Sequence, residues 1–202
     1  MADNPTRHDD GRRSRTDDDV HGVNPVNAID IAQVQSDLDI SAVGILIREY
    51  TTWAFTLDED SDRAPTFTTL EEELATLPGI FAPPSGRLLL AKYNGEPAGT
   101  IAFLGHDAER CELKRLYVRP SFRKFGIGRQ LVSALLAQAR SAGYRQVELS
   151  SHFSMTQAHN LYQALGFRIV DAPKDFPAFH RDHVVFMEYA LLADTTDGNS
   201  RR

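Results

Sequence analysis

One cysteine, one tryptophan and no long apolar run leave the chain without the features that mark several large protein classes. With Cys111 alone there can be no intramolecular disulfide, and this usage fits a reducing compartment. No apolar stretch approaches the roughly 18 residues of a membrane-spanning helix, and the N-terminus carries no hydrophobic signal core. A soluble, cytoplasmic protein is therefore expected. Positive charge is also in deficit: 22 Lys and Arg against 28 Asp and Glu give a formal charge of −6. That balance argues against nucleic acid or an anionic membrane as partner. Neither G-x-x-x-x-G-K-[ST] nor G-x-G-x-x-G occurs, and the histidines lack H-E-x-x-H spacing, so no metal is expected.

What the chain does contain is enough apolar residue (42% of 202) for one domain with a sizeable core. Residues 1–27 are polar and charged, cannot offset their ordering entropy, and are expected to be disordered. Residues 28–192 form the domain, and 193–202 are expected to fray. Within the domain, residues 28–34 alternate as a strand, and a helix is expected from Asp39 with Ile40, Val43, Ile47 and Tyr50 on one face. Residues 58–66 read as a loop and 69–77 as a short helix. Arg87–Tyr93 and Pro97–Leu104 flank Asn94-Gly95, a type I′ hairpin signal. The order strand, two helices, three strands, helix, strand, helix, two strands predicts an α/β fold.

One stretch organises the rest. Leu113–Val118 is strand-like, Arg119-Pro120 stops it, and a glycine-containing turn leads into an amphipathic helix. In that helix Ile127, Leu131, Leu135 and Ala139 share a face. Strand, glycine turn and helix N-terminus together make an anion site, because the first-turn N–H groups lack partners and the helix dipole adds partial positive charge. Gly126 and Gly128 allow close approach, and Arg123, Lys124 and Arg129 add full charges. A phosphate or pyrophosphate is the expected guest. Downstream, Ser154 and Gln157 form a capping-box pattern that predicts a helix from Met155, with Gly166 ending it.

The segment R-x-x-G-x-G (Arg123, Gly126, Gly128), after L-Y-V-R-P, resembles the signature of the GNAT superfamily of acyl-CoA-dependent N-acetyltransferases. A-x-x-L-Y-x-x-x-G-F (Ala158 to Phe167) resembles its second motif. The resemblance covers residues 28–192 and implies the GNAT fold, a single domain whose mixed, mostly antiparallel central sheet is flanked by helices. It implies acetyl-CoA as co-substrate, held by the backbone of Leu116, Tyr117 and Val118 along the pantetheine arm. The pyrophosphate would lie on Arg123, Lys124, Phe125, Gly126, Ile127, Gly128 and Arg129. Tyr162 stands where the family commonly has the acid that protonates the departing thiol. Met155 replaces an asparagine that often touches the coenzyme.

Glu112 matches a strand position at which several members carry the general base. Its alternation with Lys114, Leu116 and Val118 puts it on their face, opposite Cys111; the other reading is a carboxylate salt-bridged to Lys114 or Arg115. The first helices and their loop usually build the acceptor site, which makes Tyr50, Trp53, Phe55 and Phe67 candidate contacts, or simply core. Two functions follow: direct acetyl transfer to a primary amine in a ternary complex, or a non-catalytic acyl-CoA-binding regulatory domain. The acceptor stays open among small amines, amino acids, antibiotics and protein amines, with the acidic balance leaning toward a cation. Homodimerisation also stays open.

Overall fold

The structure, a computed structural model, describes residues 28–56 and 70–191, without the side chains of residues 179 and 180. The two tails, the 58–66 loop and Phe67 lie outside the described residues. In chain order the elements are β1 (Ile29–Gln33), α1 (Asp37–Phe55), α2 (Leu70–Thr76), β2 (Arg87–Tyr93), β3 (Glu96–Gly105) and β4 (Arg110–Val118). Then follow α3 (Ile127–Ser141), β5 (Gln146–His152), α4 (Thr156–Ala164), β6 (Arg168–Val170) and β7 (Val184–Ala190). The sheet order is β1-β2-β3-β4-β5-β7-β6, and every neighbouring pair is antiparallel except β4–β5. This is the mixed, mostly antiparallel sheet expected.

The two faces are separate cores. Along β2, Leu89, Ala91 and Tyr93 enter one apolar cluster with Ile127, Leu131 and Leu135 of α3, while Leu88 and Leu90 enter another with Val43, Leu46 and Ile47 of α1. Strand alternation sends successive residues to opposite faces, so α3 and α1 cover opposite sides of the sheet. The hairpin after β2 turns at Asn94 (φ 50°) and Gly95 (φ 86°), the two positive values that a type I′ turn requires.

Two helix starts differ from expectation. Helix α1 begins at Asp37, because Ser36 is its N-cap and accepts from the Asp39 backbone N–H at 3.2 Å; Asp39 belongs to the cap, not to the entry. Helix α4 begins at Thr156 with Met155 at the N-cap and no side-chain cap bond. Ser154, expected to cap it, is instead 2.7 Å from His152 Nδ1. A nearby imidazole has displaced the local capping partner.

Candidate active site

The site is built around a break in the sheet. Strands β4 and β5 pair only through Arg110–Glu112 and Gln146–Glu148, after which β5 continues along β7 as far as His152. Beyond Glu112 the strands part and open a cleft of about 580 Å³. Lining it are the strand end Leu113–Val118, Tyr50 and Trp53 of α1, Arg123 and Gly128 before and in α3, Ser150 and Ser151 of β5, and Met155, Thr156, Gln157, Ala158, Leu161 and Tyr162 around α4.

A β-bulge shapes the strand end. Lys114 pairs with Ala102 and Tyr117 with Thr100, so β4 carries an extra residue there, and Arg115 sits at φ 57°. Bulges re-aim the side chains that follow them. Cys111 and Leu113 join the α3-side core before the bulge; after it Leu116 and Val118 join that core and Tyr117 joins the α1-side one. The expected alternation of Glu112 with Leu116 and Val118 therefore holds only as far as Lys114. Cys111 does lie on the face opposite Glu112 and is fully buried; burial pushes its thiol up to about 12.

At the other wall, Gly126 is the N-cap of α3 at φ 75°, a conformation that glycine adopts without penalty. No side chain caps this end, and the first helical bond runs from Gln130 N to Gly126 O. The N–H groups of Ile127, Gly128 and Arg129 thus lack intrahelical partners, an arrangement that can cradle an anion. Arg123 donates to the Val118 carbonyl at 3.1 Å and lies 5.8 Å from the Trp53 ring centroid, which fixes it at the cleft mouth. Lys124 and Arg129 are exposed on the same turn, outside the cleft lining. The Ile127 side chain is buried in the core, leaving only its backbone for a ligand. Phe125 stacks on Tyr93 at 4.4 Å. These features fit a diphosphate.

Tyr162 is 5% exposed, packs on Phe167 (5.5 Å between ring centroids) and lines the cleft. Among the described residues its hydroxyl has no hydrogen-bond partner. Burial, with a smaller effect from Tyr50, drives the phenol well above its ordinary range, so it stays protonated and able to donate. Glu112 is placed differently. Its carboxylate receives Lys114 Nζ at 2.6 Å and meets His106 Nε2 at 3.0 Å; the Ser150 hydroxyl donates to it at 3.4 Å. It does not line the cleft, although Lys114 and Ser150 do.

Of the acceptor candidates, Tyr50 and Trp53 line the cleft, and Phe55, 56% exposed, does not. Sequence reasoning missed two ion pairs that frame this side. Arg115 is held by both oxygens of buried Glu73 on α2, the Nε contact being 2.7 Å. Arg119 grips Glu49 of α1 at 2.7 and 2.9 Å and donates to the Pro97 carbonyl. A signal for the first was the Lys114-Arg115 doublet set between Leu113 and Leu116 of β4. Which of Glu71, Glu72 and Glu73 would meet it could not be told from composition.

The cleft thus joins a split sheet, an uncapped helix end and a buried phenol. Residues 47–167 match the acetyltransferase (GNAT) family, to which this chain belongs. An uncharacterized N-acetyltransferase of Schizosaccharomyces pombe is 30% identical over 169 residues, covering 81% of this chain and 95% of the relative. The N-acetylaspartate synthetase of Danio rerio is 29% identical over 109 residues, 53% of this chain and 39% of that protein. Among solved structures, the PaiA N-acetyltransferase from Thermoplasma acidophilum, in complex with coenzyme A, superposes with a TM-score of 0.62 at 18% identity, covering 81% of this chain and 99% of the other.

Proposed function

We propose that this protein is an acetyl-CoA-dependent N-acetyltransferase that moves the acetyl group directly to a primary amine in a ternary complex. The observation that carries this reading is the continuity of the cleft, which runs from the uncapped start of α3, past the unpaired edge of β4, to Tyr162. The first-turn N–H groups and Arg123 would hold the diphosphate. The β4 edge, lacking a β5 partner past Glu112, would bond an extended pantetheine arm, and a backbone N–H there can polarise the thioester carbonyl.

The amine nitrogen forms a bond to the acetyl carbon, the carbon–sulfur bond breaks, and the thiolate leaves. The ammonium loses its surplus proton, and the thiolate gains one from Tyr162, which is reprotonated afterward. An alkyl amine is mostly protonated at neutral pH, with a pKa near ~10, so a base speeds its activation. Glu112 is the proposed base. Its contact with Ser150, which lines the cleft, supports a relay through that hydroxyl or a water rather than direct abstraction. A small amine or a protein amine is the acceptor class. Because the synthetase relatives are named for an N-acetylated amino acid, amino acids belong in the test panel.

The test is thiol release from acetyl-CoA with a broad amine panel. Turnover that falls in Tyr162→Phe supports the reading. Coenzyme A binding with no turnover across the panel would instead make this a non-catalytic acyl-CoA-binding domain.

A further inference from the structure

On the α1–α2 side the cleft presents donors and, among the described residues, no carboxylate. Lys114 and Arg115 line it beside Tyr50 and Trp53. Their partners stand behind: Glu73 is 2% exposed and the Glu112 side chain 14%, and neither reaches the lining. This local arrangement runs opposite to the chain's formal charge of −6, which by itself leaned toward a cationic acceptor. Among the described residues, an ammonium entering here would find no acid in the lining to sit against.

Arg115 is also held at a cost. Its backbone is in the left-handed region at φ 57° without being glycine, a conformation that persists only where the surroundings impose it. Its guanidinium is clamped through Nε and one terminal nitrogen by a buried carboxylate, and a buried ion pair is seldom a net gain over apolar packing. Strain and desolvation are spent here on fixing a planar fork of N–H donors at a cleft wall, the geometry that suits a second carboxylate.

We infer that the acceptor is an amine that itself bears a carboxylate, an amino acid or related amino-carboxylate, recognised by Arg115 with Lys114 beside it. Glu73 is the positioning residue for Arg115. The inference rests on the acetyltransferase reading above and names its substrate class.

The experiment compares β-alanine and glutamate with β-alaninamide and spermidine as acceptors at saturating acetyl-CoA. The carboxylate-bearing amines should exceed the amide and the polyamine in kcat/KM by about ten- to a hundredfold, the range of a charge-assisted hydrogen bond. In Arg115→Lys that ratio should shrink toward unity through KM, with coenzyme A affinity unchanged by calorimetry. The double variant Glu73→Gln with Arg115→Gln leaves no buried charge unpaired and should show the same loss of selectivity, separating recognition from folding. Spermidine or the amide matching β-alanine and glutamate would overturn the inference and leave the acetyltransferase reading standing. If no amine turns over, quenching of Trp53, the sole tryptophan, by glutamate in the coenzyme-loaded protein still decides it: quenching lost in Arg115→Lys supports the site, and no quenching overturns it.

Discussion

In the proposed mechanism the Tyr162 hydroxyl is the proton donor, and its removal leaves the ring packed on Phe167. Tyr162→Phe should therefore lower kcat by about 10²- to 10⁴-fold while calorimetry shows coenzyme A affinity unchanged. Because the phenol is held above its ordinary range, the rate should show no alkaline decline from this group up to about pH 10, and should rise with pH as the acceptor loses its proton. His159 gives a second pH effect. It is 9% exposed, its Nε2 has no partner among the described residues, and burial, then His152, holds its pKa below the ordinary 6.5. A histidine kept neutral by folding binds fewer protons than in the unfolded chain. Stability should thus be fully present above 6.5 and fall as pH drops below it. Thermal denaturation between pH 7 and 5 should show a shallower decline in His159→Gln. Both residues were visible in the sequence, but only Tyr162 drew a proposed role there, because a motif surrounds it. Burial of His159 depends on contacts that no spacing encodes.

Among the elements, the start of α3 and the end of β4 carry the most consequence. Gly126→Ala would place an L-residue at φ 75°, costing roughly 1–2 kcal/mol, although its Cβ would meet nothing within 4 Å. A backbone that shifts to relieve this strain should misalign the cradle, so coenzyme A affinity is expected to drop about tenfold by calorimetry. The strands, the hairpin and α3 were legible because periodicity and turn chemistry are local. The bulge at Arg115 was not. An extra residue in one strand is defined only by its partner, so the alternation counted from Glu112 was right to Lys114 and reversed after it. The start of α4 was missed for a similar reason, as Ser154 has a competitor in His152.

For the molecule as a whole, stability rests on two cores on opposite faces of one sheet. Leu131 and Leu135 are fully buried in the α3-side core, and truncating either to alanine should cost about 2–5 kcal/mol in chemical denaturation. The family was legible because its two motifs fall at the cleft. The acceptor side was not, since Glu73 and Arg115, and Glu49 and Arg119, are far apart in the chain and meet only after folding.

The backbone ladder between β4 and β5 has three residue pairs, so the β1–β4 half and the β5–β7 half meet at a narrow backbone seam. An extended carrier lying in the gap would act as a removable crosspiece, linking occupancy to cohesion of the two halves. At a hundredfold excess over its Kd, coenzyme A should add about 2.7 kcal/mol to unfolding. Native-state amide exchange should show the seam opening before either half unravels, with protection at Leu116–Val118 returning on loading.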